Sequence, residues 1–136
     1  MLSPEERLEQ LEKVFTVLED LSEKIPIIVE GLRDVKALGR MGITKNVIPL
    51  NKGESVFVFC ENLSKQSREA VVLTDWDRRG GMLARMLKDG LAANGVRVND
   101  RIRTQIVILS KKEVKDMESM PTFIERLRRM AVSQRA

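Results

Sequence analysis

Short apolar segments alternate with amphipathic ones along this chain, and that alternation restricts the folds that it can adopt. The strand-like segments are IPIIV, KNVIPL, AVVLTD and VRVND, which are rich in β-branched residues. Between them lie segments with apolar residues at helical spacing, such as Leu32, Val35 and Leu38. Strands that alternate with helices form a parallel sheet covered on both faces. The sequence therefore predicts an α/β fold with a Rossmann-like, four-stranded parallel sheet flanked by helices.

An amphipathic helix is predicted at the N-terminus. Ser3 and Glu6 have the spacing of a capping box, and apolar residues then recur every three or four positions until the next proline. The apolar stripe is predicted to pack on the rest of the chain, with a homodimer contact through this helix as the alternative. We thus divide the chain into the N-terminal helix at 1–24, the main domain at 25–116 and a C-terminal helical tail at 117–136.

Two segments leave a choice between helix and strand. In ESVFVFCENLSKQ, β propensity competes with a helical face, and we predict a helix because parallel strands need a crossover that is usually helical. The segment RIRTQIVILS fits a helix, or a strand over its IVIL. A loop is predicted at Asn51-Lys52-Gly53, and the helix after AVVLTD is predicted to turn Met82 and Met86 inward with its leucines.

Composition narrows the chemistry that the chain can support. Its 136 residues suit one domain, and it has no histidine and a single cysteine, Cys60. Any bound metal would therefore be held by carboxylates, which favours magnesium or manganese. The net charge of +4 and the pI near 9.5 suit a polyanionic partner such as nucleic acid. There is no apolar run of membrane-spanning length and the start is acidic, so we expect a cytoplasmic protein without a membrane partner.

Acidic residues stand where two predicted strands end. Glu30 follows IPIIV, and Asp75 ends AVVLTD, with Asp77 two residues later. If the strand order is 2-1-3-4, the first and third strands are neighbours, and their carboxyl ends face the same crevice. Because side chains alternate along a strand, Asp75 and Asp77 can point the same way, and a divalent cation would relieve the repulsion among three carboxylates. The alternative for Asp77 is that it only caps the next helix.

The paired motifs IIVEGLRDVKAL and VVLTDWDRRGG resemble the Toprim domain, which type IA and type II topoisomerases, bacterial-type primases and the maturation nuclease of 5S ribosomal RNA share. The chain is similar above all to the small stand-alone Toprim proteins of archaea and some bacteria. The resemblance covers the chain from Ile25 to the region of Asp116 and implies a Toprim-like sheet with helices on both faces.

The resemblance also implies roles for particular residues. Glu30 matches the motif glutamate, which serves as general acid/base or metal ligand, and Asp75 and Asp77 match the magnesium-binding aspartates. Asp34 matches the second acid of the Glu-Gly-x-x-Asp pattern, in a supporting position behind the ligands. The turn glycines of the family correspond to Gly31 and Gly80.

Departures from the family pattern limit the activity. The chain has no tyrosine, so it cannot form the covalent intermediate of a topoisomerase by itself. Neither the zinc module of the primases nor the RNA-binding region of the 5S RNA nuclease is recognisable. What remains is magnesium-dependent hydrolysis of a phosphodiester, with RNA favoured over DNA. A non-catalytic nucleic-acid-binding subunit and a nucleotide-binding or phosphotransfer protein are the alternatives, so whether the chain is an enzyme stays open.

Two arginines follow the acidic motif directly. Arg78 and Arg79 are predicted to contact phosphate, since their position puts them beside the proposed metal. Trp76 could stack on a base, but alternation along the strand favours its packing into the fold.

Overall fold

Strands and helices follow one another in the predicted alternation. The structure is a computed structural model that describes residues 1–50 and 53–135, so Asn51 and Lys52 of the predicted loop lie outside the described residues. The strands are β1 (Ile27–Val29), β2 (Val47–Pro49), β3 (Glu69–Val72) and β4 (Arg97–Asn99). The helices are α1 (Pro4–Ser22), α2 (Leu32–Arg40), α3 (Val56–Ser64), α4 (Arg78–Ala93), α5 (Arg101–Ser110) and α6 (Met120–Arg135). The two ambiguous segments are thus both helices, α3 and α5.

The sheet has the predicted order, β2-β1-β3-β4. Its neighbouring strands are all parallel, and Ile28 of β1 pairs with Ile48 of β2 on one side and with Val72 of β3 on the other. The strand order reverses between β1 and β3, because the chain moves from β1 to one edge and then returns to build the other. The predicted Rossmann-like α/β fold is confirmed.

Alternation along the strands divides the core into two layers. Ile27, Val29 and Val71 face a cluster formed with α1, α2, α5 and α6. Ile28 and Val72 face the opposite cluster, which is formed with α3 and α4. These strands are apolar throughout because both faces of the sheet are covered.

Local capping sets the ends of several helices. Ser3 and Glu6 make the predicted capping box at the start of α1, with hydrogen bonds of 3.1 Å in both directions. The side chain of Ser55 accepts a 3.1 Å hydrogen bond from the backbone of Val58, which starts α3 as a helix despite its β-branched residues. Gly42 is the predicted end of α2, with a left-handed φ of 86° that favours glycine.

Helices α1 and α6 complete one layer of the same core. The apolar stripe of α1 is buried, with Leu11 and Leu18 fully inaccessible, and α1 packs on α5 and α6. Phe123 and Leu127 of α6 belong to the same cluster. The predicted tail at 117–136 therefore contributes directly to the core, and the stripe considered for a homodimer contact is covered by the chain itself.

The prediction for α4 was wrong at two positions. Leu87 and Leu91 are buried as expected, but Met82 and Met86 are 61% and 50% exposed. The inward stripe of α4 repeats every four residues through Leu83, Leu87 and Leu91, so the two methionines lie on the far side of the helix. Among the described residues, no helix combines the length and the apolar character needed to cross a membrane.

Candidate functional site

Glu30 and Asp75 lie side by side at the carboxyl edge of the sheet. Glu30 directly follows β1, and Asp75 comes shortly after β3, the neighbouring strand. Oε2 of Glu30 accepts a 2.7 Å hydrogen bond from the backbone N–H of Asp75. Oδ1 of Asp75 accepts a 3.0 Å hydrogen bond from the backbone N–H of Met117. Since the strand order reverses here, the two acids occupy the position at which open α/β sheets bind ligands.

The electrostatic environment of this pair is unfavourable for a full set of negative charges. Burial of the carboxyl raises the pKa of Asp75 to about 7, and the charges of Asp34 and Glu30 add to the rise against the lowering effect of the Met117 hydrogen bond. Burial likewise raises the pKa of Asp34, with the charge of Glu30 adding to it. The folded chain therefore concentrates three acids in a region where water compensates them only in part.

Asp34 stands behind Glu30 at the start of α2. Its side chain is 6% exposed, and Oδ2 accepts a 3.1 Å hydrogen bond from the backbone N–H of Gly31. Gly31 is the residue before α2 and has an extended backbone, with φ of −159°. The turn that follows Glu30 is thus held by the Asp34 side chain and does not depend on a left-handed glycine.

Asp77 serves α4 directly. It is the residue before the helix, and its Oδ1 accepts a 2.7 Å hydrogen bond from the backbone N–H of Gly80. The helix-cap alternative is therefore realised. The alternation that placed Asp75 and Asp77 on one side of a strand does not apply, because β3 ends at Val72.

Gly80 lies in the first turn of α4, where its lack of a side chain is a steric requirement. A Cβ at this position would overlap the backbone carbonyl of Asp75. In addition, the carbonyl of Gly80 accepts a 2.7 Å hydrogen bond from the hydroxyl of buried Thr74. The helix start and the chain segment that carries Asp75 are consequently packed backbone against backbone.

Arg103 is a member of the site that sequence reasoning did not single out. From α5, its Nε donates a 2.8 Å hydrogen bond to the carbonyl of Thr74, and its Nη2 donates one of 2.8 Å to the carbonyl of Asp75. Burial lowers the pKa of Arg103, while the charges of Asp75 and Glu30 raise it. This guanidinium fixes the segment after β3 and offsets part of the acidic charge. The only sequence signal was a cation after the last strand, which many surface residues share.

The segment between α5 and α6 also holds the site. The indole Nε1 of Trp76 donates a 2.6 Å hydrogen bond to the carbonyl of Val114, and the backbone N–H of Trp76 donates a 2.9 Å bond to that of Lys115. Together with Met117, these contacts bring a segment about forty residues away along the chain against the acids. Trp76 is partly buried against the core, as packing into the fold predicted.

A groove of about 440 Å³ begins at Glu30 and runs between α3 and α4. Its apolar surface includes Phe59 and Leu83, and Arg79 also lines it. Arg78 and Arg79 are exposed at the start of α4, and neither forms an ion pair within residues 1–50 and 53–135. The groove therefore combines two carboxylates, Glu30 and Glu54, with the guanidinium of Arg79 and apolar walls.

The predicted metal ligands do not form a ready-made cage. In the part of the chain that the structure describes, no group of three or more His, Cys, Asp or Glu side chains could hold a metal ion. Glu30 contacts the backbone of Asp75, and Asp34 bonds the turn after Glu30. One oxygen of Asp77 is used in capping α4. A site built from all three of Glu30, Asp75 and Asp77 stays a prediction.

Comparisons with known proteins find relatives over most of the chain. It is 41% identical over 123 residues to a UPF0292 protein of Methanosarcina barkeri, covering 90% of this chain and 85% of the relative. It is 36% identical over 123 residues to a UPF0292 protein of Methanocaldococcus jannaschii, covering 88% and 96%. A solved structure described as a putative protein from Aquifex aeolicus matches with a TM-score of 0.67 and 28% identity over 79% of this chain and 94% of that one. No family model matches the chain.

Proposed function

We propose that this chain, which belongs to the UPF0292 protein family, is a Toprim-type, magnesium-dependent protein that hydrolyses phosphodiester bonds in RNA. One observation carries the proposal: Glu30 and Asp75 meet at the reversal point of the sheet, at the mouth of a groove lined by Arg79. The same two acids end the motifs that resemble the Toprim domain, so sequence pattern and geometry lead to the same edge.

The donor set fits magnesium if the substrate completes it. Mg²⁺ is commonly bound by one or two carboxylates with waters and substrate phosphates, and does not require a cage made only of protein groups. Backbone N–H groups engage Oε2 of Glu30 and Oδ1 of Asp75, so a cation would be held by the other oxygen of each carboxylate, in place of the hydrogen bond between the two side chains. Burial, with a smaller contribution from the charges of Asp34 and Glu30, raises the pKa of Asp75, and a bound cation would compensate the charge that this environment disfavours. Glu30 and Asp75 would hold the ion, with the second oxygen of Asp77 available from the rim.

The chain's own residues then have separate tasks. Magnesium, when bound, supplies polarisation of the phosphate and stabilisation of the leaving oxygen. Glu30 takes a proton from the attacking water or gives one to the leaving oxygen. The backbone of Asp75 holds its carboxylate in place. Arg79 pairs with a phosphate across the groove. Arg103 keeps the Asp75 segment fixed through its two carbonyl contacts.

The test is a cleavage assay on purified protein with Mg²⁺ or Mn²⁺. The substrates are single-stranded RNA, structured RNA and DNA. Glu30→Gln should abolish cleavage, because glutamine keeps an oxygen for the Asp75 N–H but cannot transfer the proton. Glu19→Gln, on an exposed position of α1, is the matched control and should cleave like the wild type. Full activity of Glu30→Gln would contradict the assigned role.

Calorimetric titration with Mg²⁺ tests the metal separately. The wild type should bind the ion in the presence of a non-hydrolysable nucleotide, and Asp75→Asn should lose that binding. If neither protein binds Mg²⁺ or Mn²⁺, the magnesium proposal is refuted, and the acid pair serves the fold alone.

A second candidate is a nucleic-acid-binding subunit without turnover, favoured by the unpaired arginines at the start of α4. It predicts salt-dependent RNA binding, with no cleavage by the wild type at any metal concentration. A third, a nucleotide-binding or phosphotransfer protein, is favoured by the groove's size and would show saturable nucleotide affinity lost in Asp75→Asn.

We also place the protein in the cytoplasm, where its one thiol, buried Cys60, would remain reduced.

A homodimer through α1 would have to use the outer face of that helix, since the apolar stripe is covered by α5 and α6. Sedimentation of the wild type over a range of concentrations measures whether such a dimer exists.

A further inference from the structure

The outer side of α3 and α4 carries large apolar side chains in solvent. Phe57 is 67% exposed, and Met82 and Met86 are 61% and 50% exposed. The helices approach closely one turn further along, where a Cβ at Gly90 would lie 2.8 Å from Sγ of Cys60. Both are crossover helices of a parallel sheet and so run in the same direction. One turn back from this contact lie Phe57 on α3 and Met86 on α4, so these two exposed side chains stand at the same level of neighbouring helices.

The same two helices expose cations together with two acids, Glu61 of α3 and Asp89 of α4. Arg79 and Arg85 of α4 are exposed, and neither forms an ion pair with any residue in the ranges 1–50 and 53–135. Lys88 of the same helix is already paired with Asp100 at 2.9 Å. An exposed aromatic ring on one helix and exposed guanidinium groups on the next suit a polyanion whose bases are unstacked, because the ring takes a base and the cations take phosphates. In a duplex the bases are stacked inside and cannot reach the ring.

We propose that the outer face of α3 and α4 binds a single-stranded segment of nucleic acid, with bases on Phe57, Met82 and Met86 and phosphates on Arg79 and Arg85. Arg79 belongs both to this face and to the groove that starts at Glu30, so a strand on the face leads to the acids. The proposal rests on the proposed function in taking the bound strand as the substrate, and it narrows that substrate to RNA with a single-stranded stretch beside the cleaved bond.

The test is fluorescence anisotropy in EDTA with a labelled single-stranded RNA and the matching duplex. The wild type should prefer the single strand. Phe57→Ala should weaken that binding by about 5- to 100-fold, the loss expected for one stacked base, and Phe57→Tyr should restore it. Arg79→Gln and Arg85→Gln should each reduce the slope of log affinity against log salt by about 0.7.

Matched controls lie on the other layer of the molecule. Ile108→Ala removes a side chain of similar exposure, 68%, from α5, and Arg129→Gln removes an exposed charge from α6. Both should bind like the wild type. Urea unfolding of every variant checks that the substitutions on the face leave the fold intact.

Because binding is measured without metal, the two proposals fail in different ways. If strand binding depends on Phe57 but no cleavage follows with Mg²⁺, the hydrolysis proposal is refuted and the proposed binding face is supported. If the wild type cleaves RNA and both Phe57→Ala and Arg85→Gln bind the strand unchanged, the proposed binding face is refuted. Equal binding of single strand and duplex overturns it as well. A dimer that Phe57→Ala dissociates, with no RNA binding by the wild type, would show that the face joins two copies of the chain instead.

Discussion

Replacing Asp75 by asparagine should stabilise the metal-free protein at alkaline pH. The folded chain keeps the Asp75 proton up to about pH 7, whereas an unfolded chain releases it near 3.8. Between these values the folded state binds the additional proton, so the contribution of this carboxyl to stability is fully present below about pH 4. It is lost as the pH rises through about 7. Asparagine carries no such proton, and its Oδ1 can still accept the hydrogen bond from Met117.

The size of the effect follows from the pKa and the exposure of the carboxyl. One pKa unit corresponds to about 1.4 kcal/mol, so the rise to about 7 sets an upper limit of roughly 4 kcal/mol. Because Asp75 is only half-buried, solvent screening reduces this, and we expect about 1–2 kcal/mol in favour of the variant at pH 8. That corresponds to a melting temperature roughly 3–10 °C higher for a chain of this size.

The assay is urea unfolding in EDTA across pH 4 to 8 (about the window set by the two pKa values), followed by the fluorescence of the single tryptophan, Trp76. The stability curves of wild type and Asp75→Asn should converge at the acidic end and separate toward pH 8. Asp77→Asn makes the same change of charge at an exposed cap and should follow the wild type. Parallel curves, or a variant less stable than the wild type at pH 8, would refute the reasoning. Saturating Mg²⁺ should stabilise only the wild type.

Substitutions at four further positions test the backbone around the acids, each by urea unfolding. Gly80→Ala should destabilise the protein by about 1–3 kcal/mol, because its Cβ overlaps the carbonyl of Asp75. Gly81→Ala has open space and should gain about 0.5–1 kcal/mol as a helix residue; equal effects at the two glycines would contradict this packing. Asp77→Ala should cost about 0.5–2 kcal/mol and Asp77→Asn almost nothing, and a large loss in both would mean that its charge, not its cap, matters. Arg103→Gln should cost about 2 kcal/mol through its two carbonyl contacts, with Arg103→Lys restoring only part because lysine lacks the planar fork.

The sequence by itself determined those features whose causes are local or follow from the chain's alternation. The capping box at Ser3, the helix end at Gly42 and the strand–helix order depend on residues a few positions apart, so their signals can be read directly. The adjacency of Glu30 and Asp75 could also be predicted, because each acid follows a strand and the parallel topology brings the carboxyl ends of those strands to one edge. The exposure of Met82 and Met86 could not be predicted, since an apolar residue beside the main stripe of a helix has no local mark of exposure.

Tertiary structure alone decided how the site is held and charged. Arg103 and Met117 reach Asp75 from 28 and 42 residues away along the chain, and no local pattern marks them as its partners. The segments that carry these residues half-bury Asp75, and this burial raises its pKa against the lowering effect of the Met117 hydrogen bond, while Asp77 remains an exposed helix cap. Two aspartates with one residue between them are equivalent in the sequence. They differ in the fold because desolvation depends on which distant segments cover each carboxyl, and the segment before α6 covers only one of them.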